Sequence, residues 1–173
     1  DPHSYGSGNP GATNVLRTGN RQAAIWTLLG DTGKGILAVA LAVATAKLHQ
    51  QGMAGLALVG LSAFIGHLFP IWHRFQGGKG VATAAGVLLM LHPWMGMATV
   101  LTWLITAIVF RYSSMAALTA AFVAPGFAYV FHGGLDLVAG VSVMSILLVL
   151  RHRPNITKLL RGEESKIGQR SKA

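Results

Sequence analysis

Two glycine-rich segments contain residue types that bind phosphate. Residues 6–17 read GSGNPGATNVLR, and residues 77–83 read GGKGVAT. Glycines let a backbone approach a ligand closely and turn its N–H groups toward an anion, while Arg17 and Lys79 supply positive charge. A capped turn would explain the first segment, and a lysine that marks the membrane side would explain the second. The accompanying hydroxyls and amides, and the glycines on both sides of Lys79, favour anion binding in each.

A third polar cluster, residues 151–156, reads RHRPNI. His152 and Asn155 are three residues apart, so they share one side of a helical turn. Both can donate a hydrogen bond to a ligand oxygen, and a histidine can also act as a base. An interfacial anchor at a helix end explains the cluster equally well, so these residues alone leave both interpretations open.

Three further groups of polar residues have a simpler structural explanation or remain ambiguous. Asp31 and Lys34 are three residues apart within an apolar run, where charges are costly, and we expect them to neutralise each other. His67 could donate to a phosphate, but a bond to a loop carbonyl is favoured. Ser113 or Ser114 could bind phosphate, or Ser113 could cap the next helix.

Several common catalytic motifs are absent from the sequence. It contains no HxxxxD pair, no GxSxG nucleophile elbow, no cysteine and no metal-ligand cluster. The remaining donors are hydroxyl, amide, guanidinium, ammonium and imidazole groups on separated loops. They suit one or two substrates that carry phosphate, with neither a metal nor another cofactor.

The composition indicates that membrane-spanning segments hold these loops. Of 173 residues, 52% are hydrophobic and 11% are charged, whereas soluble domains carry about 25% charged residues. The mean hydropathy is +0.52, and charge-free stretches are long enough for bilayer spans of about 20 residues. The basic residues that give the net charge of +9 lie between apolar runs. This position indicates contact with lipid headgroups rather than with nucleic acid.

The pattern predicts an all-α membrane protein that forms a single domain over residues 1–173. Six transmembrane helices are expected at residues 23–46, 53–72, 81–91, 93–110, 115–131 and 135–150. The third and fourth are separated at His92-Pro93, because proline disfavours helical geometry in the preceding residue. If residues 80–110 cross twice, all basic linkers lie on one face, which is then cytoplasmic. Residues 154–173 form a basic cytoplasmic tail.

The motifs together resemble those of the bacterial acyl-phosphate:glycerol-3-phosphate acyltransferases of the PlsY type. The matching segments are 6–17, DTGKG at 31–35, GHLFPIWHRFQGGKGVAT at 66–83, and 151–156. The resemblance implies a seven-helix enzyme of the bacterial inner membrane with a cytoplasmic active site. The first of those helices is expected to precede residue 1.

The resemblance also implies a reaction and the roles of individual residues. Acyl phosphate would acylate glycerol 3-phosphate at its sn-1 hydroxyl by direct attack, in the first step of phospholipid synthesis, giving lysophosphatidic acid and inorganic phosphate. Catalytic roles fall to Ser7, Arg17, Lys79, His152 and Asn155. Substrate-binding roles fall to Gly6, Gly8, Asn9, Gly11, Thr13, Asn14, Gly77, Gly78, Gly80 and Ser114.

The resemblance leaves the general base open between His152 and a phosphate oxygen of a substrate, and for the family the latter is favoured. The enzyme that forms acyl phosphate is a further candidate partner. Two rival functions are a transporter for a phosphorylated solute and a lipid-binding scaffold. A transporter would place its binding groups near the bilayer midplane, and a scaffold would not need two glycine-rich loops.

Overall fold

The computed structural model describes residues 7–45, 52–132 and 134–169, and in these residues all regular structure is helical. This confirms the predicted all-α class. The α-helices are α1 (Ala12–Leu16), α2 (Arg21–Ala44), α3 (Gly52–Leu68), α4 (Val81–Leu91), α5 (Pro93–Phe110), α6 (Ser113–His132), α7 (Leu135–Arg151) and α8 (Arg153–Leu160), with a short 3-10 helix at Ile71–His73.

The break predicted at His92-Pro93 is present and has a local cause. His92 is extended (φ −155°), and its side chain accepts a hydrogen bond from the backbone N–H of Met95. Pro93 occupies the first turn of α5, where its missing N–H costs nothing. The segment predicted at 53–72 instead ends at Leu68, because Pro70 cannot continue the helix. The predicted end of the first segment, residue 46, lies outside the described residues.

Four described helices are long and apolar enough to cross a membrane, namely α2, α3 with the turn that follows it, α5 and α6. The pair α7 and α8, bent by 59°, makes a fifth if it is counted as one span. Helix α4 has 11 residues and is about 16 Å long, against about 30 Å of hydrocarbon. A count of six spans therefore stays a prediction.

Helices α2 and α4 approach each other closely because each has a glycine at the contact. A Cβ atom on Gly86 would overlap the carbonyl oxygen of Thr32, and one on Gly35 would overlap that of Thr83. Small residues allow this approach, which favours helix association in membranes. The second glycine of the DTGKG segment thus has a packing role.

Neighbouring helices continue the bundle through α4, α5, α6 and α7, and α7 returns against α3. The core between them is filled by large side chains with no exposed surface, Phe64, Leu68, Met95 and Leu137. At His152 the chain turns from α7 into α8. This closure brings the loop before α1, the loop before α4 and the start of α6 to the same end as that turn.

Candidate active site

A cavity of about 750 Å³ lies at this end of the bundle. Eleven predicted site residues line it: Ser7, Asn9, Gly11, Thr13, Asn14, Arg17, Lys79, Gly80, Ser114, His152 and Asn155. Gly8, Gly77 and Gly78 are not among its lining residues, and Gly6 lies outside the described residues. Four separate stretches of sequence therefore contribute to one cavity.

The first glycine-rich loop is shaped by Asn14. Its side chain is 1% exposed, and its Oδ1 accepts a hydrogen bond of 2.9 Å from the backbone N–H of Ser7. The hydroxyls of Thr13 and Ser113 lie 3.1 Å apart and join α1 to the start of α6. Asn14 therefore holds the loop in place besides lining the cavity, and Ser113 contributes a contact between α1 and α6.

The second glycine-rich loop is held from behind by Arg151. Its Nη2 donates to the carbonyl of Gly77 at 2.7 Å and to that of Gly78 at 3.2 Å. Gly80 has a φ of +83°, and a Cβ there would overlap the ring of Phe64. The residue after Lys79 must therefore be glycine on both backbone and steric grounds.

Lys79 is the start of a hydrogen-bonded chain that crosses the cavity wall. Its Nζ donates to Oδ1 of Asn155 at 2.6 Å. The Nδ2 of Asn155 donates to Oε1 of Glu164 at 2.8 Å, and the hydroxyl of Ser114 donates to the same oxygen at 2.8 Å. Three predicted site residues are thus joined through Glu164, which the motifs did not indicate.

Lys79 loses its positive charge at a lower pH than an ordinary lysine does. Burial, together with repulsion from Arg17, Lys158 and Arg151, lowers the pKa of Lys79 to about 8, while the carboxylate of Glu164 opposes this shift. At neutral pH the side chain is still an ammonium. A partly buried ammonium among other cations is well suited to an anionic ligand, which would relieve the repulsion.

His152 is 2% exposed and has a defined hydrogen-bonding state. Its Nδ1 lies 2.8 Å from the carbonyl oxygen of Leu148. A carbonyl only accepts hydrogen bonds, so Nδ1 carries the hydrogen, and in the neutral ring Nε2 is an acceptor. With a neutral ring, His152 can therefore offer an acceptor to a hydroxyl rather than a second donor to a phosphate.

The predicted neutralisation of Asp31 by Lys34 is confirmed. Lys34 Nζ lies 2.7 Å from Asp31 Oδ1, and His67 joins them, with Nδ1 3.4 Å from the same oxygen and in contact with Lys34 Nζ. The His67 ring also packs against Gly78, where a Cβ would overlap it. His67 thus links α2 to the second loop, although by contacts other than the predicted carbonyl bond.

Among the residues that the structure describes, Glu164 is the charged member of this network that sequence reasoning missed. A signal was present, since Glu163 and Glu164 are two of only five acidic residues in the chain and lie in an otherwise basic tail. That signal does not tell which of the two turns inward. In the structure Glu163 is exposed and Glu164 is partly buried.

The rest of the cavity is mostly apolar and extends between the helices. It is lined by leucines, alanines and other apolar residues of α2, α4, α5, α6 and α7, among them Leu28, Leu88, Trp103, Ala124 and Met144. A polar, cationic end joined to an apolar chamber can hold a molecule with an anionic head and a hydrocarbon tail.

The chain matches known proteins over nearly its whole length. The family model described as glycerol-3-phosphate acyltransferase matches residues 1–162. Proteins of that name from Cupriavidus taiwanensis and Ralstonia pickettii are similar to it. The first is 61% identical over 99% of this chain and 85% of its own, and the second is 60% identical over 100% and 84%.

Two solved structures share the fold. One is PlsY, an integral membrane glycerol 3-phosphate acyltransferase, in its glycerol 3-phosphate form, with a TM-score of 0.89, 35% identity, and coverage of 97% of this chain and 82% of that one. The other is the lysophosphatidic acid form, with a TM-score of 0.85, 34% identity, and coverage of 94% and 82%. The chain is therefore an integral membrane protein and belongs to the glycerol-3-phosphate acyltransferase family, in its PlsY type.

Proposed function

We propose that this protein transfers a fatty acyl group from acyl phosphate to the sn-1 hydroxyl of glycerol 3-phosphate. The cavity carries the proposal, because its cationic end adjoins an apolar chamber within one continuous space. The related structures are a glycerol 3-phosphate form and a lysophosphatidic acid form, and these molecules are an acceptor and a product that fit this reaction.

The proposed mechanism is direct attack. The primary hydroxyl of glycerol 3-phosphate bonds to the carbonyl carbon of acyl phosphate, the bond from that carbon to the phosphate oxygen breaks, and inorganic phosphate leaves. Acyl phosphate is a mixed anhydride that is already activated, so no protein nucleophile is required. Orientation of the two substrates contributes up to about 7–11 kcal/mol in favourable cases. Lys79 and Arg17 stabilise the negative charge that develops on the leaving phosphate.

The hydroxyl proton passes to a phosphate oxygen of a substrate in this mechanism. His152, through Nε2, accepts a hydrogen bond from the acceptor substrate and orients it. We expect His152→Ala to raise KM for glycerol 3-phosphate and to keep most of kcat. Loss of a general base would instead lower kcat by about 10²–10⁴-fold, and that result would assign the base to His152.

The site faces the cytoplasm of a bacterial inner membrane in this proposal, since the basic linkers meet at the cavity and such linkers mark the cytoplasmic side. An enzyme that makes acyl phosphate would deliver its product to the same membrane. Labelling of cysteines introduced at exposed His73 and at exposed Trp94, in sealed cells with an impermeant reagent, tests the orientation. Access to position 73 from outside, with position 94 protected, would reverse it.

The test of the reaction is release of phosphate and formation of lysophosphatidic acid by the purified protein in detergent. Palmitoyl phosphate with glycerol 3-phosphate should give both products in equal amounts, and palmitoyl-CoA should give neither. Transfer from palmitoyl-CoA but not from palmitoyl phosphate would show that the donor is acyl-CoA. A folded protein that is inert with both donors would overturn the proposed function. Incubation with palmitoyl phosphate alone, followed by mass measurement, should leave the protein without a covalent acyl group.

A further inference from the structure

Glu164 lies where two substrate-site donors converge. Its Oε1 accepts hydrogen bonds from Ser114 and Asn155, both at 2.8 Å. Asn155 thereby uses its amide N–H toward the glutamate and turns its Oδ1 toward Lys79. If the Asn155 amide were reversed, its N–H₂ would face an ammonium, and an acceptor would face a carboxylate. The two charged neighbours therefore fix the orientation of this amide between them.

Glu164 is also the negative charge that faces a group of cations. The charged or titratable groups that act on Lys79 come from the end of α1, the end of α7, helix α8 and the tail: Arg17, Arg151, Lys158 and Glu164. Of the described acids, only Asp31 and Glu164 line the cavity, and Asp31 is paired with Lys34. Within the described residues, Glu164 is thus the acid available to balance Lys79.

The tail segment after α8 is held over the site by several contacts. The backbone N–H of Ile167 donates to the carbonyl of Arg111 at 2.6 Å, and Arg111 Nη2 donates back to Ile167 at 3.3 Å. Arg17 Nη2 reaches the carbonyl of Ser165 at 3.4 Å, and Lys166 lies 5.8 Å above the ring of Tyr112. These contacts place the Glu164 carboxylate against the first turn of α8 and the start of α6.

We propose that Glu164 is a positioning residue for the glycerol 3-phosphate site, which orients the Asn155 amide and keeps Lys79 in its charged form. The inference rests on the proposed function for its effect on catalysis. It also has a consequence that is independent of activity, because removal of the carboxylate charge favours the neutral amine of Lys79. A tail that only tethered the fold would affect stability without changing the ionisation of one lysine.

The variant Glu164→Gln isolates the charge, since glutamine keeps the size and an acceptor oxygen. Glu163→Gln is the matched control, because it removes the same charge from the exposed neighbouring residue. A second pair, Glu164→Asp and Glu164→Asn, again differs in charge alone. It provides the same comparison if the glutamine variant does not fold.

The first measurement is the rate at which an amine-reactive reagent labels Lys79 as a function of pH, read by mass spectrometry of the peptide that contains it. Glu164→Gln should move the midpoint to lower pH by about one unit, the effect of losing one nearby opposite charge. Glu163→Gln should leave it unchanged. An unchanged labelling midpoint in Glu164→Gln would overturn the proposal. Equal midpoints in Glu164→Asn and Glu164→Asp would overturn it as well.

The second measurement is kcat/KM for glycerol 3-phosphate over the same pH range. In Glu164→Gln, the fall of kcat/KM at alkaline pH should move to lower pH together with the labelling midpoint. In Glu164→Asp, this fall should stay at the pH observed for the unaltered protein. An equal loss at every pH, with a lower Tm, would show a structural tether and would also overturn the proposal. If the unaltered protein transferred no acyl group, the proposed function would fail, while the labelling result would still decide the role of Glu164.

Discussion

The ammonium of Lys79 donates a 2.6 Å hydrogen bond to Oδ1 of Asn155, although 76 positions separate the two residues. Lys79 comes from the glycine-rich loop before α4, and Asn155 comes from the first turn of α8. This bond joins two of the motifs that the resemblance assigned to the phosphate-binding site. Since the two side chains touch, we expect them to act on the substrate as a unit.

The first prediction concerns that coupling. Lys79→Ala should lower kcat/KM for glycerol 3-phosphate by about 10²–10³-fold, as expected for loss of a preorganised charge beside a transferring group. Asn155→Ala should lower it less. The double variant should cost little more than Lys79→Ala alone, because residues that work together are not additive. The exposed Arg161→Ala serves as a charge control, and strictly additive losses would contradict the coupling.

The second prediction concerns pH. Lys79 has a pKa of about 8, so it is an ammonium below that pH and a neutral amine above it. Since kcat/KM reports the free enzyme, kcat/KM for glycerol 3-phosphate should fall as the pH rises through about 8. A profile at constant ionic strength measures this. A plateau that extends to the ordinary lysine range near 10.5 would show that Lys79 is not the group that titrates.

The third prediction concerns Gly80. Gly80→Ala should destabilise the protein and lower activity, because its φ of +83° costs a non-glycine residue about 1–2 kcal/mol and its new Cβ would overlap the Phe64 ring. Gly30→Ala, in helix α2, is the matched control, since a Cβ there meets nothing within 4 Å. Thermal unfolding in detergent measures both. Equal melting temperatures for the two variants would argue against the strained turn.

The fourth prediction concerns acyl-chain length. Ala124 is 2% exposed, lines the apolar chamber and is 10 residues along α6 from Ser114, or about 15 Å. Ala124→Leu should therefore lower kcat/KM for palmitoyl phosphate more than for shorter acyl phosphates, by about fourfold for each methylene no longer buried.

The control for this prediction is Phe122→Ala, two residues away. Phe122 is 85% exposed on the outer surface of the same helix, so its truncation should not change the preference for chain length. The ratio of kcat/KM for palmitoyl and decanoyl phosphate is the measurement. If Ala124→Leu lowered both values equally, the acyl chain would not reach that part of the chamber.

Most of the helical architecture could be predicted from the sequence because its causes are local. Apolar runs gave the positions of the helices, and Pro93 gave the break at His92. The sequence also predicts a ligand that carries phosphate, since glycines, Arg17 and Lys79 are suited to phosphate. The predicted pairing of Asp31 with Lys34 was correct because both lie on one helix.

Only the tertiary structure decided which polar residues share the cavity and what each one contacts. Hydropathy records how apolar a segment is, but it does not record which distant side chains its packing brings together. The inward Glu164, the loop held by Arg151 and the buried Asn14 all depend on such packing. The bounds of α4 were predicted from the sequence, but its burial against neighbouring helices was decided by the fold. The sequence alone thus determined where the helices lie and which residue types are suited to phosphate. The network that joins Lys79, Asn155 and Glu164 was determined by the fold.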